Sequence, residues 1–402
     1  MQSGHRQPMG RRLVFVMAVA SGLVVANSYY AQPIVESISK GLNASSTQVG
    51  LVVTASQIGY AVGLAFLVPL GDLLDRRKLL AVLLVMTAAG LAAMALTPNW
   101  QVLGVATLLV GITSVVGQIL VPMAASLAGP DEQGKVIGDV MTGLLLGILL
   151  SRVLSGVIAQ LAGWRSVFWV ATALMILTAI LLHRELPVVP ATTDLSYRSL
   201  LASVINLVRE EPVLRLRMAY GGLTFASFGA LWTSIGFLLA GPEYGWSDAA
   251  IGVFTLLGVA GVLAARIAGT MADRGYAQRQ TGPFVAITAA SFAVMGVGRN
   301  SAIALGLGVA ALELGIQGTH ITNQSLFYPL RPDARSRLNT AYMTAYFAAG
   351  SAGSALSAIV YSQAGWTGVC VLGAAFPSVG LVLWGVEIAS AVSGGARRES
   401  RP

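Results

Sequence analysis

The sequence has little charge, one cysteine and three histidines. Only 10% of its 402 residues are charged, against about 25% in an ordinary soluble domain, while 55% are hydrophobic and the mean hydropathy is +0.74. This composition excludes a typical water-soluble fold. The single Cys370 excludes an intramolecular disulfide and a cysteine-based metal cluster. With only His5, His183 and His320 there is no basis for a multi-histidine site, so we predict no metal and no cofactor.

Familiar catalytic patterns are also missing. The sequence contains no G-x-S-x-G nucleophile turn, no H-E-x-x-H zinc motif and no phosphate-binding P-loop. We therefore predict that the protein is not an enzyme.

Long apolar stretches dominate what is present. They are continuously apolar and rich in Gly, Ala and Leu, which indicates helices rather than the alternating strands of a membrane barrel. The sequence predicts an all-α membrane protein with about twelve transmembrane helices in a lipid bilayer. The stretches are Leu13 to Tyr30, Val49 to Leu70, Leu79 to Leu96, Val102 to Leu127, Val136 to Leu161, Ser166 to Leu182, Leu216 to Ala240, Ala249 to Ala268, Pro283 to Val297, Ala302 to Leu326, Leu338 to Tyr361 and Gly368 to Ala389.

The net charge of +8 points to membrane topology rather than to a nucleic-acid partner. If the N-terminus is cytoplasmic, every Lys and Arg lies in a cytoplasmic segment except Lys40, Arg152, Arg165, Arg266 and Arg299. This asymmetry is the positive-inside pattern. We predict a multi-pass protein of the cytoplasmic (cell inner) membrane with both termini in the cytoplasm, and no nucleic-acid partner.

Two internal alignments indicate a duplication. The charged segment 71–78 returns in degenerate form at 269–275, and Ser155 and Gly163-Trp164 return 202 positions later as Ser357 and Gly365-Trp366, with Pro130-Asp131 and Met141-Thr142 repeated likewise at Pro332-Asp333 and Met343-Thr344. Such repeats predict two pseudo-symmetric six-helix halves. We predict halves at 1–182 and 214–402, joined by a cytoplasmic linker at 183–213 that contains a short surface helix from Ser199 to Val208.

The charged segment carries a family resemblance. Gly71, Leu73, Asp75 and Arg76 match in order the pattern G-x-L-[AG]-D-R-x-G-R-[RK], whereas Lys78 stands where the pattern has Gly. The chain thereby resembles the major facilitator superfamily, and within it the bacterial efflux-type members that export drugs, sugars or nucleosides. Drug/proton antiporters often carry Gly-Pro in the fifth helix, where this chain has Ser151-Arg152, and this departure weakens a multidrug assignment.

The resemblance implies that this loop latches the two halves on the cytoplasmic side. Asp75 is also a fixed negative charge that a nearby helix N-terminus would stabilise. The alternative is that the basic residues of the loop only anchor the topology. The candidate gate residues are Gly71, Asp72, Asp75, Arg76, Arg77, Lys78, Gly269, Asp273 and Arg274.

Polar residues inside the tenth span are the best candidates for chemistry, because polar groups are costly in hydrocarbon. Glu313, Gln317, His320 and Gln324 recur at spacings that place them on one helix face. A deeply buried carboxylate beside an imidazole is suited to binding and releasing a proton. The alternative is that these side chains supply hydrogen bonds between helices.

Arg152 is the second intramembrane charge. It needs an acidic partner, an anionic substrate or a water-filled cavity, and Glu36 is a candidate partner. The resemblance implies that helices one, four, seven and ten line a central cavity. The resulting candidates for substrate contact, each with packing as the alternative role, are Asn27, Tyr30, Gln118, Arg152, Tyr220, Thr224, Ser227, Trp232, Gln317 and Gln324.

These features predict a secondary transporter that works by alternating access. The leading hypothesis is proton-coupled export of a small organic solute or drug by a monomer. Proton-coupled import or facilitated diffusion of a small metabolite is the nearest alternative. A membrane receptor that does not transport is a third hypothesis, which Glu313 and Arg152 disfavour because a receptor has no need of their desolvation cost.

Overall fold

The computed structural model describes residues 10–128, 132–187, 196–331 and 334–399. Its regular elements in these residues are all helical, as the sequence predicts for an all-α membrane protein. The helices are α1 (Arg11–Ala26), α2 (Val35–Leu42), α3 (Ser46–Phe66), α4 (Leu70–Leu73), α5 (Arg76–Leu96), α6 (Trp100–Thr113), α7 (Val116–Leu127), α8 (Gln133–Ala162), α9 (Trp164–Glu185), α10 (Tyr197–Glu210), α11 (Pro212–Ala240), α12 (Asp248–Phe254), α13 (Ala260–Asp273), α14 (Ala277–Val297), α15 (Ala302–Phe327) and α16 (Arg335–Glu399), with 3-10 turns at Gln32–Ile34, Thr255–Val259 and Tyr328–Leu330.

The helices account for the predicted spans. Within the described residues, ten helical stretches are long and apolar enough to cross a membrane. One of them, in α16, consists of two helices that meet at a kink at Gly365, and α1 is apolar but has only 16 residues. Counting both gives the twelve spans expected from hydropathy. α10 lies in the predicted linker and extends the predicted surface helix at both ends, while residues 188–195 of the linker lie outside the described part.

Side-chain caps mark where several helices begin. Ser45 and Gln48 form a reciprocal capping box at the start of α3, with Gln48 N–H donating to Ser45 Oγ at 3.2 Å and Ser45 N–H donating to Gln48 Oε1 at 2.9 Å. The side chains of Asn99 and Ser301 each accept one backbone N–H in the first turn of α6 and α15. These side chains satisfy backbone donors that the first turn of a helix leaves without a partner, so the polar residues between apolar runs define the helix ends.

The internal duplication is visible in the backbone. Gly163 and Gly365, 202 positions apart, both adopt a positive φ, 82° and 59°, that favours glycine. Each ends one helix and precedes a buried tryptophan, Trp164 or Trp366. The repeated pairs Pro130-Asp131 and Pro332-Asp333 lie outside the described residues. The two halves therefore turn between helices in the same way.

The chain forms two compact units. One contains the described residues up to Leu207 together with Ile235–Leu256, and the other contains Val208–Ser234 and the residues from Leu257 onward. In the first unit α12 packs on α8 so closely that a Cβ at Gly156 would lie 2.3 Å from the carbonyl oxygen of Asp248. A segment from the predicted C-terminal half is thus part of the first unit. The predicted boundaries at 182 and 214 remain a prediction.

Glycines bring α1 and α8 into backbone contact. A Cβ at Gly143 would lie 2.3 Å from the carbonyl oxygen of Ala18, and one at Gly147 would lie 2.2 Å from that of Gly22. The second unit uses the same device, since a Cβ at Gly229 on α11 would lie 2.2 Å from the carbonyl oxygen of Gly350 on α16. Small residues allow this approach, which supplies dispersion contacts where hydrocarbon offers no hydrophobic driving force.

We predict that replacing a glycine by alanine will destabilise the protein only where that glycine contacts a neighbouring helix. Gly147→Ala should lower the free energy of unfolding by about 1–3 kcal/mol, because the new Cβ overlaps the backbone of α1. Gly138→Ala on the same helix is the matched control, since no atom lies within 4 Å of its Cβ position. Thermal unfolding in detergent measures the difference. Equal transition temperatures for the two variants would contradict the packing argument.

Candidate functional site

Glu313 lies near the middle of α15 and is 7% exposed. The indole Nε1–H of Trp232, on α11, donates a hydrogen bond to its Oε1 at 3.1 Å. Both residues are sequence-predicted candidates, and the fold brings them into direct contact. The contact joins an ionisable group to an uncharged donor inside the second unit, an arrangement compatible with either protonation state of the carboxyl group.

His320 lies two helical turns further along α15 and has different neighbours. Its Nδ1 is 3.2 Å from the hydroxyl oxygen of Tyr342, which also accepts a hydrogen bond from Asn323 Nδ2 at 3.2 Å. The ring centroids of Tyr342 and Tyr346 lie 5.5 and 5.2 Å from that of His320. Because the hydroxyl can donate to a neutral imidazole or accept from a protonated one, the contact can persist when His320 gains a proton.

The polar stripe therefore divides into separate environments. Glu313 meets α11, whereas His320 meets the first part of α16. Gln317 lies between them and packs on α13, where a Cβ at Gly261 would be 2.8 Å from its Cγ. Gln324 is half-buried at the end of the stripe. The four residues lie on one helix, α15, but Glu313, Gln317 and His320 contact three different neighbouring helices.

The remaining candidates on α11 bond to protein groups. The Tyr220 hydroxyl donates to Glu387 Oε2 at 2.7 Å, and Thr224 Oγ1 donates to the carbonyl of Tyr220 in its own helix at 2.9 Å. Ser227 Oγ donates to the carbonyl of Gly373 on α16 at 2.8 Å. The Tyr220 and Ser227 bonds join α11 to α16, the Thr224 bond stays within α11, and all three favour packing, the alternative given for each residue. Contact with a substrate remains a prediction.

Glu387 is the centre of a polar cluster that sequence reasoning missed. It accepts hydrogen bonds from Arg217, Tyr220 and Gln278, and Arg217 also donates to Thr281 Oγ1 at 3.2 Å. The Arg217 side chain is 3% exposed and that of Glu387 is 12% exposed. Arg217 was counted with the cytoplasmic charges; it lies in α11 and pairs with a carboxylate 170 residues away. The sequence signal that could have revealed this cluster is Glu387 itself, an isolated charge in the last predicted span.

Arg152 is 2% exposed on α8 in the first unit. Its Nε–H donates to Gln32 Oε1 at 2.9 Å, and its guanidinium lies 4.9 Å from the centroid of the Tyr29 ring. Glu36, the candidate partner, instead pairs with Lys40 at 3.3 Å on the surface of α2. The guanidinium is thus stabilised by an amide and an aromatic face rather than by the predicted carboxylate.

Three further candidates lie in the first unit. Asn27 is buried at the end of α1, with Nδ2 3.2 Å from the sulfur of Met175. Gln118 is half-buried and donates through Nε2 to the Tyr60 hydroxyl at 3.4 Å. Tyr30 is 7% exposed and lines a groove between α1 and α8. Among the described residues, Asn27, Gln118 and Tyr30 have different neighbours and do not form one cluster. The residues predicted to line a cavity are therefore spread over several places in the first unit.

The charged motif turns the chain more tightly than expected. Gly71 to Leu73 are helical in α4 and α5 begins at Arg76, so only Leu74 and Asp75 interrupt the helices. Asp75 is the N-cap of α5, and its Oδ1 accepts the backbone N–H of Arg77 at 3.0 Å. The helix N-terminus that was predicted to stabilise Asp75 is therefore that of α5, the next helix in the sequence.

The basic residues of the motif differ in burial. Arg76 is 6% exposed, donates through Nε to the carbonyl of Gly71 at 2.7 Å and pairs with Asp72 Oδ1 at 3.0 Å. Arg77 is half-buried and Lys78 is exposed. Arg76 therefore ties α4 to α5, which goes beyond a topology anchor, whereas an exposed Lys78 is compatible with that simpler role.

The second copy has lost this geometry. Gly269 lies inside α13, which continues to Asp273, and the exposed Arg274 is its C-cap. The turn follows at Gly275, whose φ is 83°, and α14 begins without a side-chain cap. The side chain of Asp273 lies outside the described part of the chain. The degenerate sequence thus retains a turn between helices without the Asp75-type cap.

Comparisons with known proteins agree with this architecture. The profile of the Major Facilitator Superfamily matches residues 17–353. The transporter YgaY of Escherichia coli is 46% identical over 372 residues, which cover 92% of this chain and 94% of that protein. A transporter of Streptomyces coelicolor is 32% identical over 391 residues, covering 94% of this chain and 90% of the relative.

A solved structure has the same fold. The nucleoside transporter NupG superimposes with a TM-score of 0.72 and covers 94% of this chain and 99% of its own. Its sequence identity is 13%, so this likeness concerns the fold alone.

The Glu387 cluster leads to a stability prediction. Glu387→Gln should lower the free energy of unfolding by about 3–5 kcal/mol, because it leaves the buried Arg217 guanidinium without a carboxylate. Glu36→Gln is the matched control, since its pair with Lys40 is exposed and worth at most about 1 kcal/mol. Thermal unfolding of both variants in detergent tests this. Similar small losses for both would show that the buried pair contributes little.

Proposed function

We propose, from the premise that the chain belongs to the Major Facilitator Superfamily, that it exports a small organic solute in exchange for protons. As a member of that family it is a multi-pass membrane transporter. The finer assignment consists of export, coupling to protons and a site on α15. We also propose that the protein is a monomer in the inner membrane and that both of its termini lie in the cytoplasm. Alternating exposure of one site between two halves would couple the two fluxes.

The burial of Glu313 is the observation that carries the proposal. A charged carboxylate at this depth is costly, so it is stable only when protonated, hydrated or well bonded. Trp232 is a neutral donor, and a neutral donor stabilises the charged form less than a cation would. Access of water from one side would therefore allow Glu313 to release its proton, and closure would favour proton uptake. This is the behaviour that a coupling site requires.

His320 provides a second proton-accepting group for the same proposal. Its bond to Tyr342 tolerates either protonation state, and Asn323 holds the Tyr342 hydroxyl in place. Glu313 and His320 lie on one helix, so a movement of α15 would act on both. We assign Glu313 as the coupling residue and His320 as an auxiliary site, because Glu313 is the more buried of the two.

The motif around Asp75 is proposed as the cytoplasmic latch. Its geometry supplies a rigid turn, because Asp75 caps α5 while Arg76 bonds back to Gly71 and Asp72. A rigid turn keeps its charges at a fixed position on the cytoplasmic surface. That fixed position is what a charge-based latch would need in order to engage and release cooperatively.

Neutralising Glu313 tests the coupling assignment. In proteoliposomes with an imposed pH gradient and a panel of candidate solutes, Glu313→Gln should abolish pH-driven transport, because glutamine cannot carry a proton. Solute exchange without a gradient should persist. Glu243→Gln, an exposed carboxylate between α11 and α12, is the control and should transport normally. Normal gradient coupling in Glu313→Gln would refute the assignment.

The direction of transport is read from the same system. Proton-driven uptake into inverted vesicles with an acidic interior supports export. Uptake into intact cells down the same gradient supports the alternative, import of a small metabolite.

Two substitutions at Asp75 separate capping from the latch. Asparagine is nearly as good an N-cap as aspartate, whereas alanine costs about 1 kcal/mol of stability. We expect Asp75→Asn to unfold at the same temperature as the parent but to transport several-fold more slowly, because it loses the charge. Asp75→Ala should show both defects. A full transport rate in Asp75→Asn would eliminate the charged latch.

A further inference from the structure

A groove between α1 and α8 is not used by the proposed coupling site. Its cavity volume is about 710 Å³, and every residue that lines it belongs to the first unit. The central part is lined by apolar side chains that are more than a third exposed, including Phe15, Val19, Leu146, Leu150 and Leu154. The volume is in the range of about 300–1,000 Å³ typical of small-molecule pockets.

The groove is long. Lys135 and Leu154 on α8 both line it, and at a rise of 1.5 Å per residue their separation corresponds to about 28 Å. The close contact of Gly143 and Gly147 with α1 forms its floor, because these residues add no side chain above the backbone. An extended apolar chain fits this shape better than a compact solute does.

One end of the groove carries both signs of charge. Arg11 from α1 and Glu132, Lys135 and Asp139 at the start of α8 line this end and are exposed. The α8 residues follow at spacings of three and four, which places them on one side of the helix. In the described part of the chain, none of the six ion pairs involves these four residues. Charges of both signs therefore line this end of the groove.

This polarity suits one kind of occupant. A headgroup with a phosphate and an ammonium group could place the phosphate near Arg11 and Lys135 and the ammonium near Glu132 and Asp139. A purely anionic or purely cationic headgroup would meet two like charges. A compact polar solute would leave the apolar part of the groove uncovered.

We infer that the groove between α1 and α8 binds a single-chain zwitterionic amphiphile as cargo, with its headgroup among Arg11, Glu132, Lys135 and Asp139 and its chain along the apolar wall. The inference rests on the proposed function only in calling this molecule cargo. Binding depends on the groove alone and requires neither a pH gradient nor Glu313.

Equilibrium dialysis of the purified full chain in a maltoside detergent tests binding. The probes are radiolabelled dodecylphosphocholine, dodecyl phosphate and dodecyltrimethylammonium, each below its micellar concentration. We expect dodecylphosphocholine to bind about five- to tenfold more tightly than the other two, since exposed charge contacts are worth up to about 1 kcal/mol each. Equal affinity for all three probes would overturn the inference.

Two sets of variants locate the site. The double variant Glu132→Gln, Asp139→Asn should reverse the preference and bind dodecyl phosphate most tightly, an outcome that a loss of folding cannot produce. Leu146→Trp should weaken all three probes about tenfold by filling the groove. Met141→Trp is its control, because Met141 is 39% exposed on the same helix and does not line the groove. Unchanged preference in the double variant, or equal effects of both tryptophans, would overturn the assignment.

Flux measurements separate the two proposals. Exchange of dodecylphosphocholine across proteoliposomes above the protein-free rate supports its role as cargo, whereas binding without exchange identifies a resident lipid and overturns that role. Selective binding and exchange with no response to a pH gradient would refute proton coupling and leave this inference intact. Gradient-driven transport of another solute, with no selective binding in the groove, would refute this inference alone.

Discussion

The cost of placing charge in hydrocarbon is the constraint on which this structure depends. Three deeply buried charges each have a partner supplied by the fold. Arg217 pairs with Glu387. Arg152 donates a hydrogen bond to Gln32 and lies over the Tyr29 ring. Glu313 accepts a hydrogen bond from the indole N–H of Trp232. The partners differ in strength. Arg217 pairs with a carboxylate, whereas Glu313 bonds to an uncharged indole, and that contrast is why we treat the first as a structural pair and the second as the proposed coupling site.

Close packing of helices is the second requirement. Apolar side chains gain little from leaving lipid, so the helices associate through backbone approach at small residues. The Gly22, Gly143 and Gly147 contact in the first unit has a counterpart at Gly229 and Gly350 in the second. In the first unit this contact also leaves a groove above it, because glycine provides proximity without filling the surface. The close packing and the groove therefore arise from the same residues.

Sequence reasoning succeeded where the signal is local. Apolar runs predicted the spans, and the repeated Gly-Trp pair marked equivalent turns that both adopt a positive φ. It was less successful with partners. Glu36 was a reasonable partner for Arg152 by depth, but Gln32, one helical turn earlier, makes the contact. Arg217 was counted with the cytoplasmic charges, and its pair with Glu387 was missed because that residue lies 170 positions away. A helix N-terminus was expected near Asp75 from the sequence, which did not say which helix supplies it, and the structure shows that it is α5.

The sequence by itself determined that this is an all-helical membrane protein of the Major Facilitator Superfamily with two related halves. Hydropathy, positive charge and repeats are properties of contiguous segments, and in a membrane each helix must satisfy its own backbone. Only the tertiary structure decided which polar groups meet and where a groove remains. Those outcomes depend on the rotation and separation of helices that are far apart in the chain, so a change of one residue in register alters the partner.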